Sequence, residues 1–98
     1  MSGISTHVLD TAAGRPAAGI KVLLFLENEQ VASGTTDHDG RIKNFGVSVN
    51  HGAYRLLFEI SGAFYPDISI SFIVSDPSAH YHIPLLISPF GYTTYRGS

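Results

Sequence analysis

Alternation of apolar and polar residues with a period of two is the feature of this sequence that most restricts its fold. In the segment 53–60 every second residue is a large apolar one, and the segment 68–74 alternates in the same way. Successive side chains of a β-strand point to opposite faces of the sheet, so this pattern predicts strands with one buried face. No stretch repeats its apolar residues at helical spacing, and we therefore expect an all-β fold.

Further segments complete a set of about eight predicted strands. They are 4–10, which ends at a loop over 14–16, then 20–26, 30–35, a short strand led by Arg41, 80–87 and 91–96. The segment 20–26 is apolar on both faces, which is typical of a central strand. Asp39-Gly40 predicts a tight turn before Arg41. Many short strands separated by turn residues indicate a β-sandwich, and we interpret residues 1–98 as a single domain.

The composition restricts the partners of this domain. Hydrophobic residues make up 44% of the 98 residues and charged residues only 14%, so a self-association that covers part of the surface is expected. A net charge of -2 with scattered basic residues argues against nucleic acid as a partner. The absence of cysteine excludes disulfides, thiolate nucleophiles and cysteine-ligated zinc.

The sequence also gives an expectation about localisation. No run approaches the roughly 20 apolar residues of a membrane helix, so no membrane partner is expected. The first residues lack a basic stretch followed by an apolar run, which argues against a signal peptide. A cytoplasmic location is the expectation that follows by default.

Histidines are the residues best suited to catalysis or metal binding in this sequence, and the chain has five. Alternation puts Ser5 and His7 on one face of the first predicted strand, and His80 and His82 on one face of the penultimate strand. A His-x-His pair is one way to begin a metal site, although the sequence identifies no third ligand. From the residues alone, a solvent-exposed or hydrogen-bonded strand histidine is the favoured explanation for His7 and His82.

The remaining polar candidates have structural interpretations of their own. His38 and His51 lie in turn-like segments and are expected at the surface. Arg41, directly after the predicted turn, can be a solvated charge at the end of a strand. No nucleophile elbow and no glycine-rich phosphate loop is present. The residues alone therefore predict a histidine-rich β-sandwich and no specific reaction.

Three segments together resemble the 5-hydroxyisourate hydrolases, the enzymatic relatives of transthyretin. The first is Ile4-Ser5-Thr6-His7-Val8-Leu9-Asp10 followed by 14–17, and the second is Asp39-Gly40-Arg41. The third runs from His80-Tyr81-His82-Ile83-Pro84 to the closing Tyr95-Arg96-Gly97-Ser98. This closing tetrapeptide is the most specific of these motifs, because transthyretin itself does not end in this way.

The resemblance implies a transthyretin-like two-sheet sandwich of eight strands, assembled as a homotetramer of two dimers with sites at the dimer–dimer interface. It implies hydrolysis of 5-hydroxyisourate to 2-oxo-4-hydroxy-4-carboxy-5-ureidoimidazoline in urate degradation, with no metal or organic cofactor. The connection between Glu59 and Phe72 is shorter than is usual in this family. We therefore expect the family's short helix to be missing here.

Family site residues carry over to seven positions of this sequence. The resemblance implies His7, Arg41 and His82 as catalytic residues, and Tyr95, Arg96, Gly97 and Ser98 as substrate-binding residues. Imidazole can exchange a proton near neutral pH, so the two histidines are expected to activate water, and which one is the base stays open. The arginine is expected to bind substrate carbonyls and favour developing negative charge. The terminal serine is expected to bring its carboxylate to the site.

Three alternative functions remain open from the sequence. The first is a binding protein of the transthyretin kind that holds a small aromatic ligand, although the polar residues named above argue against it. The second is a structural or adhesion sandwich, since a fold does not fix a function. The third is a metalloprotein built on His80 and His82.

Overall fold

The fold consists of strands throughout the described part of the chain. The computed structural model describes residues 3–98, so the first two residues of the predicted domain lie outside it. Within this range there are nine strands: β1 (Gly3–Asp10), β2 (Arg15–Pro16), β3 (Lys21–Leu26), β4 (Glu29–Thr35), β5 (Arg41–Ile42), β6 (Gly52–Glu59), β7 (Asp67–Val74), β8 (His80–Ser88) and β9 (Gly91–Thr94). The described residues include no helix long and apolar enough to cross a membrane. The predicted all-β sandwich is confirmed.

The strands form two sheets. One has the order β2-β1-β8-β9, with β5 also paired to β1, and the other has the order β4-β3-β6-β7. The prediction of a central strand at 20–26 is confirmed, because β3 lies between β4 and β6. The loop predicted over 14–16 is wrong in one detail, since Arg15 and Pro16 pair with the end of β1. Proline is tolerated there because β2 is an edge strand.

The core lies between the inner faces of the two sheets. Alternate residues of β6 supply Tyr54, Leu56 and Phe58, which are at most 2% exposed. Val8 of β1 and Leu85 of β8 face them from the other sheet and are fully buried. Each such side chain contributes about 1.5–3 kcal/mol by its removal from water. The core face of β1 and β8 is thereby fixed, and their other residues must face outward.

The connection between β6 and β7 is a short loop over residues 60–66. The N–H groups of Ile60 and Ser61 both donate to the carbonyl of Pro66, at 3.0 and 2.8 Å. These bonds close the loop directly, and no helix occurs in it. The expectation that the usual short helix is missing is confirmed.

Candidate active site

Strand pairing brings together three of the predicted catalytic residues. β1 pairs with β5 in antiparallel fashion, which places His7 opposite Arg41. β1 pairs with β8 in parallel, which places Ser5 opposite His82. Because the alternate residues of β1 and β8 fill the core, these side chains share the outer face of the sheet. The site therefore lies on β1, flanked by β5 on one side and β8 on the other.

The segment 95–98 runs back along β8 and closes one side of the site. The N–H of Gly97 donates to the carbonyl of His82 at 2.8 Å, and the two residues form an isolated bridge. A Cβ atom at Gly97 would lie 2.7 Å from Cδ2 of His82 and 3.2 Å from Cγ of Pro84. Glycine is required at this position because the chain passes directly against the imidazole ring.

All seven predicted site residues line one cleft of about 380 Å³, which also includes Leu9 and Pro84: they are His7, Arg41, His82, Tyr95, Arg96, Gly97 and Ser98. A smaller cleft of about 240 Å³ adjoins it and shares Arg41, His82 and Ser98. A larger cleft of about 430 Å³ lies at the other end of β8, beside the β6–β7 loop, and is mainly apolar. The groups suited to acid–base chemistry thus converge on the first cleft.

An aspartate-centred turn holds Arg41 in place. The carboxylate of Asp37 accepts hydrogen bonds from the N–H groups of Asp39 and Arg41, at 2.9 and 3.0 Å. The bond from the Arg41 backbone is the main cause that lowers the pKa of the Asp37 carboxyl. Gly40 has a φ of 74°, and a Cβ there would lie 2.5 Å from the carbonyl oxygen of Val8. The turn therefore needs glycine at this position both for its conformation and for its close approach to β1.

His7 is oriented by the same turn. Its Nε2 lies 2.9 Å from the carbonyl oxygen of Asp39. A carbonyl oxygen can only accept a hydrogen bond, so Nε2 carries the ring proton and donates a hydrogen bond to the Asp39 carbonyl. The other ring nitrogen, Nδ1, then has a lone pair when the ring is neutral. His7 is half-buried and lines the 380 Å³ cleft.

His82 is oriented through a serine. Its Nδ1 lies 2.7 Å from Oγ of Ser5, and the same Oγ lies 2.8 Å from Nε2 of His80. Burial is the main cause that lowers the pKa of the His82 imidazole, and repulsion from the charge of Arg41, and from His7 and His80 when they are protonated, lowers it further. A lowered pKa keeps this imidazole neutral at neutral pH, which suits a proton acceptor. Nε2 is the ring nitrogen that remains for a ligand.

The guanidinium of Arg96 is engaged with the protein on the wall of the cleft. Its Cζ atom lies 4.3 Å from the centre of the Tyr81 ring, and Nη2 donates to the carbonyl of His80 at 3.4 Å. A stacked guanidinium stabilises the position of its own backbone. Arg96 thus anchors the segment 95–98 beside β8. Tyr95 next to it is 56% exposed.

The described residues give little support for a metal site at His80 and His82, because both rings bond the hydroxyl of Ser5. The one group of three possible ligands found among residues 3–98 is Asp37, His38 and Asp39, all exposed, with ligand atoms within 4.8 Å of one another. It shares neither histidine of the pair. His38 and His51 are exposed, as the sequence predicted.

Ser5 and Asp37 are two residues of the site whose roles the sequence did not reveal. Alternation did place Ser5 on the face of His7, but its partners His80 and His82 come from a strand more than 70 residues away. The signal for Asp37 is its position three residues before Gly40, where an aspartate often bonds the backbone of a turn.

Comparison with known proteins identifies the family. The profile of the HIUase/Transthyretin family matches residues 4–97. The chain belongs to this family. A 5-hydroxyisourate hydrolase of Caulobacter vibrioides is 40% identical over 115 aligned positions that cover the whole of both chains. A 5-hydroxyisourate hydrolase of Salmonella dublin is 38% identical over 97% of this chain and 80% of its own length. The predictions of family and of hydrolase relatives are confirmed.

Solved structures agree in fold. The 5-hydroxyisourate hydrolase of Klebsiella pneumoniae superposes with a TM-score of 0.91 at 37% identity, and the match covers 99% of this chain and 100% of that one. Sea bream transthyretin in complex with thyroxine superposes with a TM-score of 0.87 at 27% identity, with 96% and 93% covered. The hydrolase and the transthyretin that was solved in complex with thyroxine thus share the same sandwich fold with this chain. The alignment with the Caulobacter relative spans 115 positions against the 98 residues of this chain, so it contains gaps in this chain.

Proposed function

We propose that this chain hydrolyses 5-hydroxyisourate to 2-oxo-4-hydroxy-4-carboxy-5-ureidoimidazoline. The observation that carries the proposal is the convergence of His7, Arg41 and His82 with the segment 95–98 on one polar cleft. The relatives at 38–40% identity are 5-hydroxyisourate hydrolases. A binding site for an apolar ligand would not need two imidazoles and a guanidinium around the same space.

His82 is the proposed general base. Its lowered pKa leaves the ring neutral near pH 7, and Nδ1 is occupied by Ser5, so Nε2 accepts the proton of a water molecule. The resulting hydroxide adds to a ring carbonyl of the substrate, and the oxyanion that forms carries a full negative charge. The base then returns its proton to the leaving nitrogen as the carbon–nitrogen bond breaks. The ring opens without any group other than the protein's own side chains and water.

Arg41 and His7 are the proposed partners of the oxyanion and the substrate. The planar guanidinium can donate two hydrogen bonds to neighbouring oxygens of the substrate. In a partly enclosed cleft its charge also stabilises the oxyanion. His7 accepts a substrate N–H at Nδ1, because its Nε2 proton is held by Asp39. Tyr95 and Ser98 border the substrate ring, and Gly97 lets the segment 95–98 lie close enough to do so.

We further propose that the protein is cytoplasmic. We also propose that it forms a homotetramer in which two dimers face each other across this cleft. Support for association at the cleft comes from Tyr95, which lines it and is 56% exposed, and Ile73 of the other sheet, which is 66% exposed, supports self-association in general. Leaving such side chains in water is unfavourable, and a second copy would cover them. Light scattering after size exclusion gives the number of chains, and a monomer at micromolar concentration would contradict the assembly.

The test follows the ultraviolet decay of 5-hydroxyisourate, made in place from urate by urate oxidase. Wild-type protein should accelerate this decay above the spontaneous rate. His82→Ala should lower the catalysed rate about 10²–10⁴-fold. His38→Ala is the matched control, because this histidine is exposed and outside the cleft. If the folded wild-type protein gives no acceleration, the proposed hydrolysis is wrong. Binding of thyroxine by such a protein would instead support a transthyretin-like role.

A further inference from the structure

Ser5 is a buried polar residue whose hydroxyl has no part in the proton transfers proposed above. Its side chain is on the outer face of β1, yet the residue is only 6% exposed, because His80 and His82 cover it from β8. Its hydroxyl makes one short contact with each ring, at 2.8 Å to Nε2 of His80 and 2.7 Å to Nδ1 of His82. The serine therefore connects the two histidines in a continuous hydrogen-bonded chain.

A hydroxyl has a single proton, so the hydrogen bonds that join His82, Ser5 and His80 have two possible arrangements. In one, Ser5 donates to His82 and accepts from His80, and the neutral His82 ring then carries its proton on Nε2. In the other, Ser5 donates to His80 and accepts from Nδ1–H of His82, which leaves a lone pair on Nε2. Only the second arrangement allows His82 to accept a proton from water in the cleft.

The positions of the two clefts indicate the direction of proton transfer along the hydrogen-bonded series His82–Ser5–His80. His82 lines both of them, whereas Ser5 and His80 line only the smaller one. His80 is exposed and can exchange a proton with solvent. Arg41 and His7 oppose a positive charge on His82, and Lys43 is a further charged group that lines the smaller cleft. Passing the proton onward to His80 moves that charge to the more solvated ring.

We propose that Ser5 is a positioning residue that fixes His82 with its proton on Nδ1 and relays a proton to His80. As Nε2 of His82 takes a proton from water, the Nδ1 proton moves to Oγ of Ser5, and the hydroxyl proton of Ser5 moves to Nε2 of His80. The water oxygen bonds to the substrate carbonyl carbon. His82 ends neutral with its proton on Nε2, and His80 ends as an imidazolium. When the leaving nitrogen takes the Nε2 proton of His82, the two relayed protons move back through Ser5, which returns His80 to its neutral form and the proton of His82 to Nδ1. The inference rests on the proposed function, and it names the route of the proton.

The kinetic test compares three variants in the decay assay. Ser5→Ala breaks the chain and should lower kcat about tenfold with KM little changed, less than the ~10²–10⁴ of a direct general base. Ser5→Thr keeps the hydroxyl and should restore most of kcat. His80→Gln keeps a hydrogen-bonding partner but cannot take up the proton, so kcat should fall as in Ser5→Ala. Added imidazole buffer should raise kcat of Ser5→Ala after subtraction of the spontaneous rate, but not that of the wild type.

A second measurement does not depend on turnover. Long-range nitrogen–proton NMR of the imidazole rings reports which nitrogen carries the proton, and wild-type His82 should carry it on Nδ1. This preference should persist in Ser5→Thr and disappear in Ser5→Ala. Finding the proton of wild-type His82 on Nε2 would overturn the proposal, as would unchanged kcat in Ser5→Ala. Equal losses of kcat in Ser5→Ala and Ser5→Thr would also overturn it, because they would show a packing role. A wild-type protein without hydrolytic activity would refute the proposed function, and the NMR result would still decide the role of Ser5.

Discussion

Gly97→Ala is the substitution that most directly tests how the segment 95–98 shapes the site. The added Cβ would lie 2.7 Å from Cδ2 of His82, against the 3.4–4 Å of an ordinary contact. It would also lie 3.2 Å from Cγ of Pro84, so moving away from the ring in that direction is blocked. Both obstacles are rigid rings, and neither can yield by rotating a flexible chain end.

Relief of this overlap requires a shift of about 0.7 Å or more in either the imidazole or the segment 95–98. A shift of the imidazole would break the 2.7 Å contact with Ser5, and a shift of the segment would break the bond from the Gly97 N–H to His82. Displacement of a reacting group by about 1 Å can cost about 100-fold in rate. We therefore expect kcat/KM for 5-hydroxyisourate to fall about 100-fold in Gly97→Ala, which is about 2.7 kcal/mol of transition-state stabilisation.

The effect on folding should be much smaller. Overpacking costs about 1–3 kcal/mol in a closed core, but the segment 95–98 is held beside β8 by few bonds and can move outward. We expect a loss of about 1 kcal/mol in urea denaturation. Gly91→Ala is the matched control, since a Cβ there would meet only Oγ of Ser88, at 3.6 Å. Retention of kcat/KM within about threefold in Gly97→Ala would refute the reasoning, because an ångström-scale displacement predicts more.

Four further predictions concern the pKa of His82 and the stability of two turns. Burial and nearby charges lower the pKa of His82, so the midpoint of the loss of kcat/KM with falling pH should lie below 6.5, and a midpoint above 6.5 would contradict this role. Arg41→Gln removes one of these charges and should raise that pKa in an NMR titration, and a lower value would contradict the assignment. Thr36→Val leaves two backbone partners unsatisfied and should cost about 1–3 kcal/mol in urea denaturation, whereas Thr35→Val at an exposed position should cost little. Gly40→Ala should cost about 2–4 kcal/mol, because φ is 74° and the Cβ would overlap β1, and undiminished stability would show that the turn adapts.

The lowered pKa of His82 also has a consequence for stability. An unfolded chain has this imidazole at its ordinary pKa of 6.5 and therefore binds more protons than the folded chain just below that pH. The contribution of His82 to stability is thus fully present above pH 6.5 and is lost as pH falls toward the folded-state pKa. Denaturation curves measured with His82→Gln should lack this part of the pH dependence, and identical pH dependence in both proteins would count against the neutral ring.

The sequence predicted most of the fold because alternation is a local property. The faces of β6 and β7 follow directly from the spacing of their apolar residues, and the central place of β3 follows from its two apolar faces. β2 was missed because it has only two residues, one of them Pro16, and its pairing with β1 depends on the course of the preceding loop. The absence of a helix from the β6–β7 connection was predicted only from the family resemblance, because a short loop by itself does not show that relatives have a longer connection.

The candidate site was predictable in its members but not in its internal contacts. His7, Arg41 and His82 came from the family resemblance, and the structure brings them to one cleft. The contacts that orient them arise from Ser5 and Asp37, whose partners depend on the register of strand pairs and on the geometry of a turn. No local pattern encodes the parallel register of β1 and β8, because the two strands are separated by most of the chain.

The parallel pairing of β1 with β8 also fixes when the site can exist during synthesis. β1 is made before its main neighbour β8, which follows some 70 residues later, after the whole second sheet. Pairing at such separation is slow, and until it occurs β1 lacks its main hydrogen-bonding partner in its own sheet. The same event completes the centre of that sheet and brings Ser5 to His82. A nascent chain should therefore assemble its proposed site and gain its stability together, with no stage at which a folded molecule with an incomplete site accumulates.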